Sequence, residues 1–164
     1  MKTVVIALGA NLDKPLQQIQ AALKKIADDK KIVIQKTSSF YRTKPVGYVN
    51  QPDFINAVFI GETKLSPMEL LDYLHEIENL FGRVRTFTNA PRTLDLDVID
   101  YQGIVQQTPE LILPHPRAVE RAFVMVPMAE IAPHCMIHGK TSQEWADSLN
   151  QDGIIKIQNT KNQQ

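Results

Sequence analysis

Pro91-Arg92-Thr93-Leu94-Asp95-Leu96-Asp97-Val98-Ile99-Asp100-Tyr101 is the stretch on which the reading of this 164-residue chain turns. Leu94, Leu96 and Val98 alternate with Asp95, Asp97 and Ile99, the two-residue period of a strand. Side chains two apart on a strand share a face, roughly 7 Å apart at about 3.3–3.4 Å per residue. Carboxylates so placed can converge on a hard cation, which takes oxygen ligands. Arg92 stands at the mouth of the same strand, and a guanidinium fork suits phosphate oxygens. The pattern therefore points to metal-assisted chemistry on a phosphate. A strand with one solvated face would also alternate polar residues, so a merely hydrophilic face is the competing reading. Against it, Asp is depleted in strands, and here Asp100 follows two others.

Working outward, the flanking segments give the strand its place in a fold. Thr3 to Leu8 reads as a buried strand closed by Gly9-Ala10-Asn11. Pro15 suits a first helical turn, and Ile19, Ala22, Leu23 and Ile26 form an apolar stripe at helical spacing. Ile32 to Ser39 reads as a second strand running towards Tyr41. Thr43 to Asp53, with Pro45, Gly47 and Pro52, is a long loop, and Phe54 to Thr63 a third strand. Ser66, Pro67 and Glu69 make a capping box with proline in the first turn. Leu70, Leu71, Leu74, Ile77 and Phe81 then supply the buried stripe up to Gly82. Arg83 to Arg92 is a second long loop, tied to the helix end on one side and the Asp strand on the other. Its arginines 83, 85 and 92 hang near Asp95 and Asp97, as a polyphosphate–metal site needs, unless they simply solvate the loop.

After the Asp strand come a turn at Gln102-Gly103, a short strand at Ile104-Val105 and a helix from about Arg117 to Met125. A capped helix follows around Trp145, and an edge strand at Ile154 to Ile157. The order strand, helix, strand, strand, helix, strand predicts an α+β sandwich of ferredoxin-like type, with helices on one face of a largely antiparallel sheet. One domain is expected over residues 1–158, with 159–164 a frayed tail.

Composition bounds the partners. Hydrophobic content of 43% and charged content of 22% describe an ordinary globular domain, with 18 basic residues balancing 18 acidic ones. Zero net charge gives no global attraction to nucleic acid or an anionic membrane, so a phosphate site must be built locally. The lone Cys135 rules out an internal disulfide framework. No stretch approaches a membrane span, and a cytoplasmic protein is expected. His134, Cys135 and His138 match no closed zinc site, since Pro133 and Gly139 deny them one helical face. Phe54 and Asn56 alternate on one strand, and Phe123 lies among apolar neighbours. They are candidate walls for a flat heterocycle, or else plain core. His115, between two prolines, is either a phosphate contact or a residue of a rigid loop, and His75 reads as a core histidine. No Gly-x4-Gly-Lys-Ser/Thr, G-x-G-x-x-G or G-x-S-x-G motif occurs.

These blocks together resemble the 6-hydroxymethyl-7,8-dihydropterin pyrophosphokinase family along nearly the whole chain. They are Gly9-Ala10-Asn11-Leu12, Ser39-Phe40-Tyr41-Arg42-Thr43 with Pro45, and Gln51-Pro52-Asp53-Phe54-Ile55-Asn56-Ala57. The series continues with Ile77-Glu78, Gly82-Arg83-Val84-Arg85, Pro91-Arg92-Thr93-Leu94-Asp95-Leu96-Asp97, and Pro114-His115-Pro116 with Arg121-Ala122-Phe123. The resemblance implies a ferredoxin-like fold and transfer of pyrophosphate from ATP, as co-substrate, to the pterin hydroxymethyl group, releasing AMP. By the same analogy Asp95 and Asp97 hold two Mg²⁺ ions, and Asp97 helps deprotonate the attacking hydroxyl. Arg83 and Arg92 neutralise charge on the phosphates. Glu78, Arg83, Arg85, Arg92, Val98, His115 and Arg121 line the ATP site, and Thr43, Pro45, Val46, Phe54, Asn56 and Phe123 the pterin slot. The partners expected are the two small molecules, with no nucleic acid and no membrane, and a monomer. The chain departs from the family pattern at Thr88-Asn89-Ala90, one residue short and lacking the usual basic residue and Trp, and at His75, where Gln is frequent. Two rivals remain: another Asp-x-Asp nucleotidyl- or glycosyltransferase, and a non-catalytic ferredoxin-like module binding RNA on its sheet.

Overall fold

Val4 to Ala10 is buried at every position, so this strand lacks the alternation of a sheet with one wet face and must be covered on both sides. The computed structural model describes residues 1–12, 14–45, 50–82 and 94–157. In chain order the elements begin with β1 (Lys2–Ala10), α1 (Pro15–Asp29), β2 (Ile32–Thr37), β3 (Tyr41–Thr43), β4 (Phe54–Thr63), α2 (Pro67–Leu80) and β5 (Asp95–Tyr101). A hairpin of β6 (Gln106–Gln107) and β7 (Ile112–Leu113) follows, then a 3₁₀ turn (Ala118–Glu120) and α3 (Ala122–Ile131). The chain continues through β8 (Met136–Ile137), β9 (Lys140–Thr141), α4 (Ser142–Ser148) and β10 (Ile154–Lys156).

The main sheet runs β10-β3-β4-β1-β5, with β2 also on β4, and every pairing is antiparallel. Taking β2 and β3 as one broken strand, this is the ferredoxin-like order expected from the sequence. The expectation of helices on one face is corrected: they occupy both. Val4, Ile6 and Leu8 pack with Ile19 and Ile26 of α1 and Leu70 and Leu74 of α2. Val5 and Ala7 pack on the opposite face with Val124, Met125 and Met128 of α3 and Ala146 of α4.

Three local departures have physical causes. The strand anticipated over Ile32–Ser39 breaks at Ser38, which occupies the gap between the β2 and β3 pairings on β4. The Ser38 N–H donates to the Val58 carbonyl at 2.8 Å, and the Val58 N–H donates to Ser38 Oγ at 2.9 Å. The helix anticipated from Arg117 to Met125 is a 3₁₀ turn, an extended Arg121, and a helix that runs on through Pro127. Proline costs that helix one internal bond, but burial of Val124, Met125, Pro127, Met128 and Ala129 outweighs it. The short strand anticipated at Ile104-Val105 lies instead at Gln106–Gln107, paired with Ile112–Leu113.

The capping boxes are as the sequence predicts. Ser66 Oγ accepts from the Glu69 N–H at 3.2 Å, and Glu69 accepts from the Ser66 N–H at 2.8 Å. Thr141 and Glu144 repeat the arrangement on α4. Gly82 has φ +69°, the left-handed conformation expected after α2. Among the described residues no helix is long and apolar enough to cross a membrane.

Ser38→Ala leaves the buried Val58 N–H without its acceptor in the middle of the sheet. The substitution is expected to cost about 1–3 kcal/mol in urea denaturation. A loss below ~0.5 kcal/mol would show that another group takes over this bond.

Candidate active site

β5 is an edge strand carrying acids, and its outer edge is held by two groups rather than by another strand. Glu78, 2% exposed on α2, accepts the Leu96 N–H at 2.7 Å, and the His115 N–H donates to the Ile99 carbonyl at 2.8 Å. Both bonds cover backbone groups that an open edge would leave bare, and they fix the height of Asp95 and Asp97.

The two acids point to the α3 face. Asp97 lies opposite Ala7 and Asp95 opposite Gly9, small residues that leave the space above the sheet open. A register shift between Val5 and Ile6 brings Asp100 opposite Val5, so it joins the same face although its spacing from Asp97 is odd. Burial first, and then the neighbouring Asp95, by charge and by a shared hydrogen bond, push the Asp97 carboxyl up to about 8. Glu78 adds to this, and Arg121 offsets part of it. Below about pH 8 the Asp97 carboxyl of the metal-free chain therefore keeps its proton.

His115 is held in one tautomer. Its Nδ1 accepts the Arg117 N–H at 3.1 Å, so the ring proton sits on Nε2. Burial, then the Arg121 charge, lowers its pKa to about 4 against the opposing pull of Asp95. It is a neutral N–H donor at neutral pH. Glu78, Asp95, Asp97, Val98 and His115 all line one cavity of about 310 Å³, together with Leu71, His75, Leu111 and Ile112. Sequence reasoning missed the last four as site residues. His75 is exposed towards this cavity, not the core histidine that helical spacing suggested. The β6–β7 hairpin that supplies Leu111 and Ile112 had no strong strand signal.

Beside the acids lies a second cluster on the same sheet face. Gly9 pairs with Asp95 on one side and Asn56 on the other, so the three residues form a lateral row across β5, β1 and β4. Strands are about 4.8 Å apart, which sets Asn56 roughly 10 Å from Asp95. Asn56 Nδ2 donates to Thr43 Oγ1 at 2.7 Å, and its Oδ1 leans over Gly9. A Cβ on Gly9 would meet that oxygen at 2.7 Å, so only glycine lets the amide lie across β1. Phe54 lies two residues from Asn56 on β4. Phe123 opens α3, with the Arg121 guanidinium 5.8 Å from its ring centre. Asn11, 2% exposed, donates from Nδ2 to Gln51 Oε1 at 2.7 Å and to the Pro52 carbonyl at 3.0 Å, anchoring the end of the Thr43–Asp53 segment. Its place in Gly9-Ala10-Asn11 was the available signal. Pro45 follows Thr43 and is half-buried. Val46, Arg83, Arg85 and Arg92 lie outside the described residues.

Two carboxylates with oxygen donors alone suit a hard dication such as Mg²⁺. Among the described residues no cluster of three or more metal-binding side chains occurs. A two-carboxylate site fits an ion that keeps waters and takes its other ligands from phosphate oxygens.

A sequence model of the 7,8-dihydro-6-hydroxymethylpterin-pyrophosphokinase (HPPK) family matches residues 5–133. The chain belongs to the HPPK family. It is 45% identical over 152 residues to 2-amino-4-hydroxy-6-hydroxymethyldihydropteridine pyrophosphokinase of Haemophilus influenzae, covering 90% of this chain and 95% of that protein. It is 39% identical over 157 residues to the folic acid synthesis protein FOL1 of Dictyostelium discoideum, covering 94% of this chain but 24% of that longer protein. Among solved structures, the Plasmodium falciparum HPPK-DHPS with pteroate superposes with a TM-score of 0.70 at 13% identity. That match spans 89% of this chain and 42% of the other, and shows a shared HPPK-domain fold.

The raised Asp97 pKa has a stability consequence with a definite sign. An Asp titrates near ~3.9 when unfolded, so between about 4 and about 8 the native chain holds a proton that the unfolded chain has lost. Metal-free stability therefore falls as pH rises through that window. Asp97→Asn should melt with the wild type near pH 4 and above it at pH 8, by on the order of 5 °C, when both are scanned in EDTA. Equal melting temperatures at pH 8 would show that the acid pair is not strained.

Proposed function

We propose that this chain transfers pyrophosphate from ATP to 6-hydroxymethyl-7,8-dihydropterin, giving the pterin diphosphate and AMP in folate biosynthesis. The observation that carries the reading is the lateral row Asn56–Gly9–Asp95, which sets an amide beside a half-buried acid pair, with Phe54 two residues from Asn56 on β4 and Phe123 at the start of α3. Membership of the HPPK family, and relatives that bear the pyrophosphokinase name, support it over a nucleotidyl- or glycosyltransferase and over an RNA-binding module.

On this reading Asp95 and Asp97 hold two Mg²⁺ ions. When bound, these neutralise the ATP phosphates and lower the proton affinity of oxygens they touch. The remaining work falls to the chain's own groups. Glu78 holds the Leu96 backbone and so keeps both acids level. His115 offers its Nε2–H to a phosphate oxygen without adding a charge that would bind Asp95 instead. Arg121, Arg83, Arg85 and Arg92 answer the phosphate charge, with Arg92 nearest the reacting atoms. Val98 and the apolar side of the cavity take the nucleoside. On the other side, Asn56 gives its Oδ1 to an N–H at the pterin edge, since Nδ2 is committed to Thr43. Phe54 and Phe123 stack on the ring, and Thr43, Pro45 and Val46 close the slot. Asp97, on the same sheet face as Asn56, is the group assigned to help deprotonate the hydroxymethyl oxygen. The protein acts as a single domain over residues 1–158, as a monomer in the cytoplasm.

Incubation with Mg²⁺, ATP and the pterin, followed by nucleotide separation, tests the reading. Pterin-dependent AMP without ADP is expected, and Asp97→Ala or Arg92→Ala should lower kcat about 10²–10⁴-fold. ADP as product, or near-normal turnover by Asp97→Ala, would contradict it.

A further inference from the structure

Glu130, one residue from the end of α3, gathers donors from two other segments on one carboxylate. Its Oε1 accepts the Ser39 backbone N–H at 2.9 Å and the Tyr41 hydroxyl at 2.8 Å. Its Oε2 accepts the Ser39 hydroxyl at 2.7 Å, and Lys156 Nζ of β10 lies 3.5 Å from it. Tyr41 is 5% exposed. Burial and the adjacent carboxylate push its ionisation well above the usual phenol range, so the hydroxyl keeps its proton and donates. Among the described residues, the side-chain hydrogen bonds between α3 and the segment from Ser39 to Thr43 all end on Glu130.

The two sides so joined are the two walls of the pterin slot. Tyr41 stands opposite Asn56 in the β3–β4 register, and Thr43, two residues on, holds the Asn56 amide. At the other end of α3, seven residues back, is Phe123. A helix rises ~1.5 Å per residue, so the clamp lies about 10 Å from the ring but on the same rigid element. A shift of α3 at Glu130 must therefore tilt Phe123 relative to Thr43 and Asn56. Lys156 extends the clamp to β10, which pairs with β3 over Tyr41 to Thr43.

We propose that Glu130 is a positioning residue that sets the spacing between α3 and β3, and hence the width of the slot between Phe123 and the Thr43–Asn56 pair. The inference rests on the pterin-side assignment made above. It predicts a larger effect on the pterin than on ATP, because the acid pair hangs from β1 and β5 and Glu78 from α2, which Glu130 does not touch, and only Arg121, at the start of α3, belongs to the ATP side.

Glu130→Gln keeps the side-chain shape, but its amide nitrogen cannot accept the Ser39 hydroxyl. Tyr41→Phe removes a single donor. In Glu130→Gln, kcat/KM for the pterin is expected to fall about tenfold while KM for ATP stays within about twofold. Tyr41→Phe should move the same way by less. Backbone amides from Tyr41 to Lys44 should lose hydrogen-exchange protection, while those of β1 and β5 keep theirs. An unchanged pterin kcat/KM, or equal losses for both substrates, would overturn the proposal. Should the wild type fail to turn over the pterin, the functional reading fails separately. The exchange pattern then decides the clamp: selective loss upholds it, and uniform or absent loss overturns it. If Glu130→Gln does not fold, Tyr41→Phe is judged by the same criteria.

Discussion

Two half-buried carboxylates on one strand face are the constraint around which this structure is arranged. Asp97 sits where burial, Asp95 and Glu78 all disfavour its charge, and Arg121 gives partial relief. An ordinary core would replace such a residue, since burying charge without a partner is costly. Here the surroundings hold it in place instead. Glu78 spends a buried carboxylate on the Leu96 N–H, and the backbone of His115 caps Ile99. The result is an edge strand that needs no further strand and presents its acids to an open cavity. On the proposed reading, a bound cation would relieve the repulsion that raises the Asp97 proton affinity.

β1 connects this acid side to the aromatic side. From Val4 to Gly9 it is buried on both faces and lies between β4 and β5, so each of these residues has one neighbour from each. At Gly9 the missing side chain lets the Asn56 amide lean across towards Asp95. On the proposed reading two substrates meet over one glycine, with their binding groups on separate strands. Precision of this kind comes from the ladder register, which a central strand fixes more firmly than any loop.

Much of this was legible from residue patterns, and what was not has identifiable causes. The period of Asp95 and Asp97 announced a shared face, and Ser66 with Glu69 announced α2, because both signals are local. The second helical layer was available in principle from the unbroken apolar run of Val4 to Leu8, but strand order alone did not require it. The register shift that turns Asp100 to the Asp95 face has no compositional mark. Pro127 argued for a helix end, and packing on both sides of α3 overrode that local preference. His75 looked like a core residue by spacing, yet the cavity lies on its side of α2. The pterin itself was legible through resemblance, since aromatic residues and an amide specify a flat polar ring but not which one.

The state of the acid pair decides this arrangement, and a ¹³C-carboxyl NMR titration of Asp97 in the metal-free protein would read it. The midpoint is expected near 8, moving down towards the ordinary carboxylate range in Asp95→Asn. A wild-type midpoint near ~4, insensitive to Asp95, would mean that the acids are relaxed without a cation, and the central claim would be wrong.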